Sequence, residues 1–157
     1  MEKAKIRLLV EGRLAAGQRV SVTPAQAHYL AQVMRLGTSE RVRLFNADDG
    51  EWLAHIADIG RGHCALVIAE QLRAARAEPG PWLAFAPAKK DATDFIVTKA
   101  TELGVAALLP IRTRYTVAQR LNRERLRANA VEAAEQCGRL TLPAIAELAP
   151  LADLIAA

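Results

Sequence analysis

Aromatic side chains are scarce in this sequence. Two tryptophans, two tyrosines and three phenylalanines among 157 residues leave little material for a platform on which successive nucleic-acid bases stack. Cysteine is scarcer still. Cys64 and Cys137 stand far apart with no CxxC pair, which excludes a disulfide framework and a zinc site of the usual spacing. His28, His55 and His63 never fall at metal-ligand spacing, so no metal is expected. No apolar run approaches a membrane span, and the opening "MEKAKIRLLVEG" is too short and too polar for a signal peptide. The expectation is a cytoplasmic protein with no membrane partner. The nine glycines trace neither a GxGxxG nor a P-loop, and no serine-centred elbow appears.

What is present is the composition of a folded chain, 52% hydrophobic and 24% charged, enough for one ordinary domain or two small ones. The net charge of +4 is modest but unevenly spread. Residues 1–72 hold nine Lys/Arg against eight Asp/Glu, whereas Arg112 to Arg127 contains six arginines and one acid, Glu124. Guanidinium stays charged and donates two parallel hydrogen bonds to phosphate. A charge run is often only a solvated face, but an arginine run in a loop leading into a helix points to a polyanion.

The two halves differ in pattern. "KIRLLVEG" and "QRVSVT" are strand-like. "TPAQAHYLAQVMRLG" reads as a helix with Thr23 as N-cap, Pro24 at N1, Gln26 completing a capping box and Gly37 beyond its end. "ERVRLFNADDGEWLAHIADIG" alternates across a turn at Asn46–Gly50, a hairpin, and "HCALVIAEQL" adds a strand after Gly60–Gly62. Residues 1–72 therefore read as a small, partly closed β-barrel.

Residues 73–81, "RAARAEPGP", have the composition of a linker, and 82–157 follow as an α/β region. "WLAFAPA" is a nearly unbroken apolar run, as for a strand buried on both faces. A helix follows, capped by Asp91 or Thr93, with Ile96, Ala100 and Leu103 as its apolar stripe and Gly104 at its end. "VAALLPI" completes a βαβ unit with parallel strands. A second helix from about Asn122 to Cys137 should bury Leu126, Ala130, Ala133 and Cys137, and "APLADLIAA" reads as a last helix with Pro150 at N1.

Four polar groups remain: Lys89–Lys90, Lys99 with Glu102, the arginine loop, and a stripe of Glu132, Glu135, Gln136 and Arg139 at i, i+3, i+4 and i+7, ending at Gly138. One geometry would assemble them, because loops after the carboxyl ends of parallel strands share an edge. Lys89–Lys90 and Arg112–Arg114 belong on that rim. Lys99–Glu102 also reads as a plain i, i+3 salt bridge, and the stripe as a solvated face with a glycine cap.

"HYLAQVMRLGTSERVRLFNADDGEW" (28–52), "KKDATDFIVTKATELGVAALLPIRTRYTV" (89–117) and "EAAEQCGRLTLPAI" (132–145), in this order, resemble the ribosomal RNA small subunit methyltransferase E family, which makes N3-methyluridine in 16S rRNA. The resemblance implies a PUA-like RNA-binding β-barrel at 1–72 and, over 82–157, the front part of a SPOUT α/β methyltransferase domain with a C-terminal trefoil knot. It implies a homodimer, S-adenosyl-L-methionine as methyl donor, and 16S rRNA of the small ribosomal subunit as partner. By this resemblance, Arg114, Glu135, Gln136 and Arg139 are the catalytic candidates, and Arg35, Lys89, Lys90, Lys99, Arg112 and Arg120 bind RNA. Glu102, Gly104 and Gly138 support the site. The family's "GPEGG"-like cofactor loop and "RILRxET"-like segment have no counterpart here. Cofactor-binding residues are therefore expected beyond Ala157, and the 157 residues alone are expected to be inactive. Two alternatives stand beside this: a non-catalytic RNA-binding protein, and a small-molecule enzyme whose arginines bind an anionic substrate.

Overall fold

Thr23 and Gln26 open the first helix as the sequence predicts. The Thr23 hydroxyl accepts the Gln26 amide N–H and the Gln26 side chain accepts the Thr23 amide N–H, a reciprocal capping box. This computed structural model describes residues 4–116, 118 and 120–156. The chain forms two units, Met1–Arg76 and Ala77–Ala157.

The first unit is a five-stranded sheet made of β1 (Arg7–Leu9), β2 (Arg19–Ser21), β3 (Arg41–Asn46), β4 (Gly50–Gly60) and β5 (His63–Arg73), in the order β1-β3-β4-β5-β2. Only β1 and β3 pair in parallel. Alternate residues reach opposite faces, so Leu8, Val42, Leu44, Ala54, Ile56, Leu66 and Ile68 gather into one buried cluster with Ala27 and Leu30. Val20 and Val22, at the β2 edge, pack on the same cluster as Leu8 of β1, so the unclosed sheet curls around a single core.

The helix is shorter than the sequence predicts. α1 (Pro24–His28) runs on as one π-helical turn over Tyr29–Val33. Gly37 does not end it. Arg35 takes the left-handed conformation, φ +55°, a position that normally falls to glycine, while the Leu36 amide donates to the Leu30 carbonyl at 2.9 Å, a wide 7→1 closure.

The sheet face opposite the core holds Glu51, only 2% exposed. Arg7 Nε meets one carboxylate oxygen at 2.9 Å and Arg73 Nε the other at 2.5 Å, with Arg43 Nη1 at 3.6 Å. Burial pushes the Glu51 carboxyl upward, but hydrogen bonds and charge from Arg7 and then Arg73 outweigh it and hold the group below its ordinary value. Arg73 thus belongs to strand β5 and its ion cluster, although its surroundings have linker composition.

The second unit contains β6 (Trp82–Phe85), α2 (Lys90–Glu102), β7 (Ala107–Arg112), α3 (Arg123–Cys137), β8 (Ala144–Ile145), β9 (Ala149–Pro150) and α4 (Leu151–Ala156). The βαβ unit is present, with β6 and β7 parallel from Trp82↔Ala107 to Phe85↔Pro110. β8 and β9 also run parallel to β7, and their offset grows by one residue between Ala107↔Ala144 and Ile111↔Ala149, as at a bulge. Val97 and Ala100 of α2, Leu126 and Ala130 of α3, Val105 and Leu108 form the core.

Several local expectations fail for identifiable reasons. β6 is an edge strand with Trp82 73% exposed, so its apolar run is not buried on both faces. The N-cap of α2 is Lys89; Asp91 lies inside the first turn, and the Thr93 hydroxyl donates to the Ala88 carbonyl instead of capping. The buried stripe is Thr93, Val97, Ala100 and Thr101, with Leu103 81% exposed. Thr101 tolerates burial because its hydroxyl donates to the Val97 carbonyl at 2.8 Å. On α3 Leu126, Ala130 and Ala133 are buried as expected, with Ala134 beside them in place of Cys137, which is exposed. Pro150 belongs to β9, so α4 begins at Leu151.

Candidate nucleic-acid interface

In a parallel βαβ unit the helix runs back against the strands, so helix starts lie at the carboxyl edge of the sheet and helix ends at the amino edge. This separates the candidate residues into two groups. Lys89 and Lys90 open α2, Arg112 ends β7, and Arg114 and Arg120 lie between β7 and α3. All five are exposed and stand toward the carboxyl edge. Lys99, Glu102 and Gly104 lie at the end of α2, and Glu135, Gln136, Gly138 and Arg139 at the end of α3, both toward the amino edge. The two helices have 13 and 15 residues, which puts about 20 Å between the edges. The expectation that one geometry assembles all four polar groups is therefore corrected.

The carboxyl edge is built for display. The Thr113 amide donates to the Thr116 hydroxyl at 2.9 Å and the Thr116 amide to the Thr113 carbonyl at 3.2 Å, fixing a turn that presents Arg114 and Tyr115. Tyr115 is 83% exposed, and the Arg114 guanidinium carbon lies 5.5 Å from its ring centre. Not every arginine here faces outward. Arg125 Nε donates to Asp94 at 3.1 Å, tying α3 to α2, and Arg123 donates to the Ile145 carbonyl at 2.8 Å, tying α3 to β8. A concavity of about 460 Å³ lies beside them, walled by Ala130, Leu142, Pro143, Ala144 and Ile145 with Arg123 and Arg127 at its rim.

The amino edge is built for anchoring. Gly104 and Gly138 take φ +83° and +82°, turning the chain after α2 and α3 in a conformation that side chains with Cβ resist. Past Gly138 the chain swings inward, so Arg139 leaves the stripe of Glu132, Glu135 and Gln136. It is buried, with Nη1 donating to the Thr101 carbonyl at 3.0 Å and Nη2 to the Thr141 hydroxyl at 3.4 Å. Glu78 completes this clasp. One of its oxygens accepts the Leu140 amide at 3.0 Å, the Thr141 amide at 3.0 Å and the Thr141 hydroxyl at 2.9 Å, with Arg139 Nε at 3.8 Å. Burial raises the Glu78 carboxyl, and the Thr141 and Leu140 donors and then the Arg139 charge hold it below its ordinary value. Sequence reading missed Glu78, whose partners lie more than sixty positions away. Lys99 and Glu102 form the i, i+3 salt bridge at 2.8 Å. Arg35 belongs to the first unit, exposed at the end of the π-helical turn.

Among the described residues, no group of three or more His, Cys, Asp or Glu side chains is disposed to hold a metal, and no helix is long and apolar enough to cross a membrane.

A curled sheet followed by an α/β unit with a cationic carboxyl edge has the charge to meet a polyanion, and comparison with known proteins gives the class. Residues 22–69 match the RNA methyltransferase PUA domain and residues 78–157 the RNA methyltransferase domain. The chain belongs to the RNA methyltransferase family that this second model describes. It is 34% identical to the ribosomal RNA small subunit methyltransferase E of Rickettsia conorii over 95% of this chain and 62% of the relative. The Synechocystis relative is 33% identical over 92% of this chain and 48% of its own length. The chain thus spans about half to three fifths of these relatives. The same enzyme of Neisseria gonorrhoeae, solved with bound S-adenosyl methionine, superposes with a TM-score of 0.81 at 23% identity, over 91% of this chain and 61% of that one. That likeness establishes the fold, a PUA β unit followed by an α/β unit.

Proposed function

We propose that this chain supplies RNA binding and part of the catalytic domain of an enzyme that methylates a uridine at N3 in 16S rRNA of the small ribosomal subunit. The observation that supports it most is the carboxyl edge of exposed Lys89, Lys90, Arg112, Arg114 and Arg120 in a chain of this family. Cations at that density replace counterions along a phosphate backbone, and with Arg35 of the first unit they suit recognition by shape and phosphate contact.

A uracil presents its N3–H between two carbonyl oxygens. A carboxylate accepts from N3–H and an amide donates to the neighbouring oxygen, which is the chemistry Glu135 and Gln136 bring on α3. Arg114 suits the negative charge that grows on the uracil oxygens when the N3 proton leaves. Because Arg114 and Glu135 lie toward opposite edges, the working protein in this reading is a homodimer, one protomer's amino edge facing its partner's carboxyl edge. Arg139 acts as a positioning residue through the Glu78 clasp.

The methyl donor in this reading is S-adenosylmethionine. Its sulfonium is cationic, and so is the described carboxyl edge. The residues of that edge do not fit it.

Disrupting the gene that encodes this chain tests the proposal. Nucleoside mass spectrometry of 16S rRNA should then lose N3-methyluridine, and a restored copy should return it. An unchanged N3-methyluridine content would refute the assigned reaction.

A further inference from the structure

From Leu103 to Arg123 the sequence contains no acidic residue, and the described part of this stretch beyond β7 presents one aromatic ring, that of Tyr115. That ring, an apolar body with a polar tip, is 83% exposed to water. The turn that carries it is nonetheless fixed, by the Thr113 amide on the Thr116 hydroxyl at 2.9 Å and by the two hydroxyls at 3.0 Å. The Arg114 guanidinium stands 5.5 Å from the ring's centre, and Arg112 ends β7 just before the turn. A guanidinium against one face polarises the ring and leaves the other face to a further planar partner.

We infer that Tyr115 is a stacking seat for one unpaired RNA base, whose adjoining phosphates Arg112 and Arg114 hold. This rests on the RNA-binding reading above and refines it, because phosphate contact alone accepts paired and unpaired RNA equally. A base inside a duplex has no free face to offer. One ring seats one base, so the scarcity of aromatics elsewhere is no obstacle.

The test uses the 157-residue chain and a short oligoribonucleotide carrying one 2-aminopurine, either single-stranded or annealed to its complement. Dissociation constants come from anisotropy, and stacking from quenching of 2-aminopurine emission. Tyr115→Ala should weaken single-strand binding about tenfold, leave duplex binding unchanged and remove the quenching. Tyr115→Phe should keep both. Circular dichroism of each variant checks that the fold is intact. If Tyr115→Ala binds the single strand as tightly as the parent and quenches equally, the stacking seat is overturned and the RNA-binding reading stands. If the parent chain binds neither RNA at low salt, both fall.

Discussion

The two edges of the second unit solve opposite problems with the same kinds of residue. At the amino edge, Arg139 is buried against Thr101, Thr141 and Glu78, and its charge is consumed in holding the ends of α2 and α3 together. At the carboxyl edge, Arg112, Arg114 and Arg120 stay exposed. An arginine in this fold is therefore read by the edge it stands at and the partners it finds there, not by how many arginines surround it. The buried end holds the helix ends in place, and the exposed end carries the charge that a polyanion meets.

Breaking the clasp should have the largest effect. Glu78→Gln keeps the size but removes the charge that accepts three donors at once, and is expected to cost about 2–3 kcal/mol, as for hydrogen bonds to a charged group. Urea unfolding measures it, and amide exchange at Leu140 and Thr141 should accelerate with it. A change under half a kcal/mol would show that the clasp is not what fixes this edge. Acid should reproduce part of this in the parent protein. The Glu78 and Glu51 carboxyls are both lowered in the folded state, so the unfolded chain binds more protons as pH drops. The stability they confer is complete above the unfolded value, about pH 4.5, and declines as pH falls through the lower folded values. Glu78→Gln should flatten that decline; an unchanged acid profile would count against the assignment.

Arg114→Ala sharpens the comparison from the other side. It should leave the unfolding midpoint in place and reduce the slope of log affinity for RNA against log salt by about one. A lower midpoint with an unchanged slope would make Arg114 a structural residue. The smallest effect belongs to Lys99→Ala, which removes an exposed i, i+3 pair and should shift stability by less than about 0.5 kcal/mol in thermal unfolding.

Features encoded by neighbours in sequence were readable in advance: the Thr23–Gln26 capping box, the hairpin at Asn46–Gly50 and the parallel βαβ pair. What escaped depends on distant partners or broken rules. Thr101 looks polar, but its hydroxyl is satisfied one turn back, so the buried stripe of α2 was misplaced. Arg35 takes a left-handed turn two residues before the glycine that seemed made for it. β8 and β9, two residues each, are too short to show any period. The stripe ending in Arg139 was legible as a pattern, but the inward swing after Gly138 depends on Glu78, which no local pattern announces.

The Glu78 clasp also sets a clock. Its carboxylate belongs to the first residues of the second unit, and its donors are made 62 and 63 residues later. At a synthesis rate of roughly 5–20 residues per second, that interval lasts about 3–12 s. During it the β6–α2–β7 segment exists without the bonds that close its amino edge, while the first unit already has its whole chain. Synthesis is therefore sequential by construction: the whole chain of the β-rich unit is made before the residues that latch the α/β unit exist.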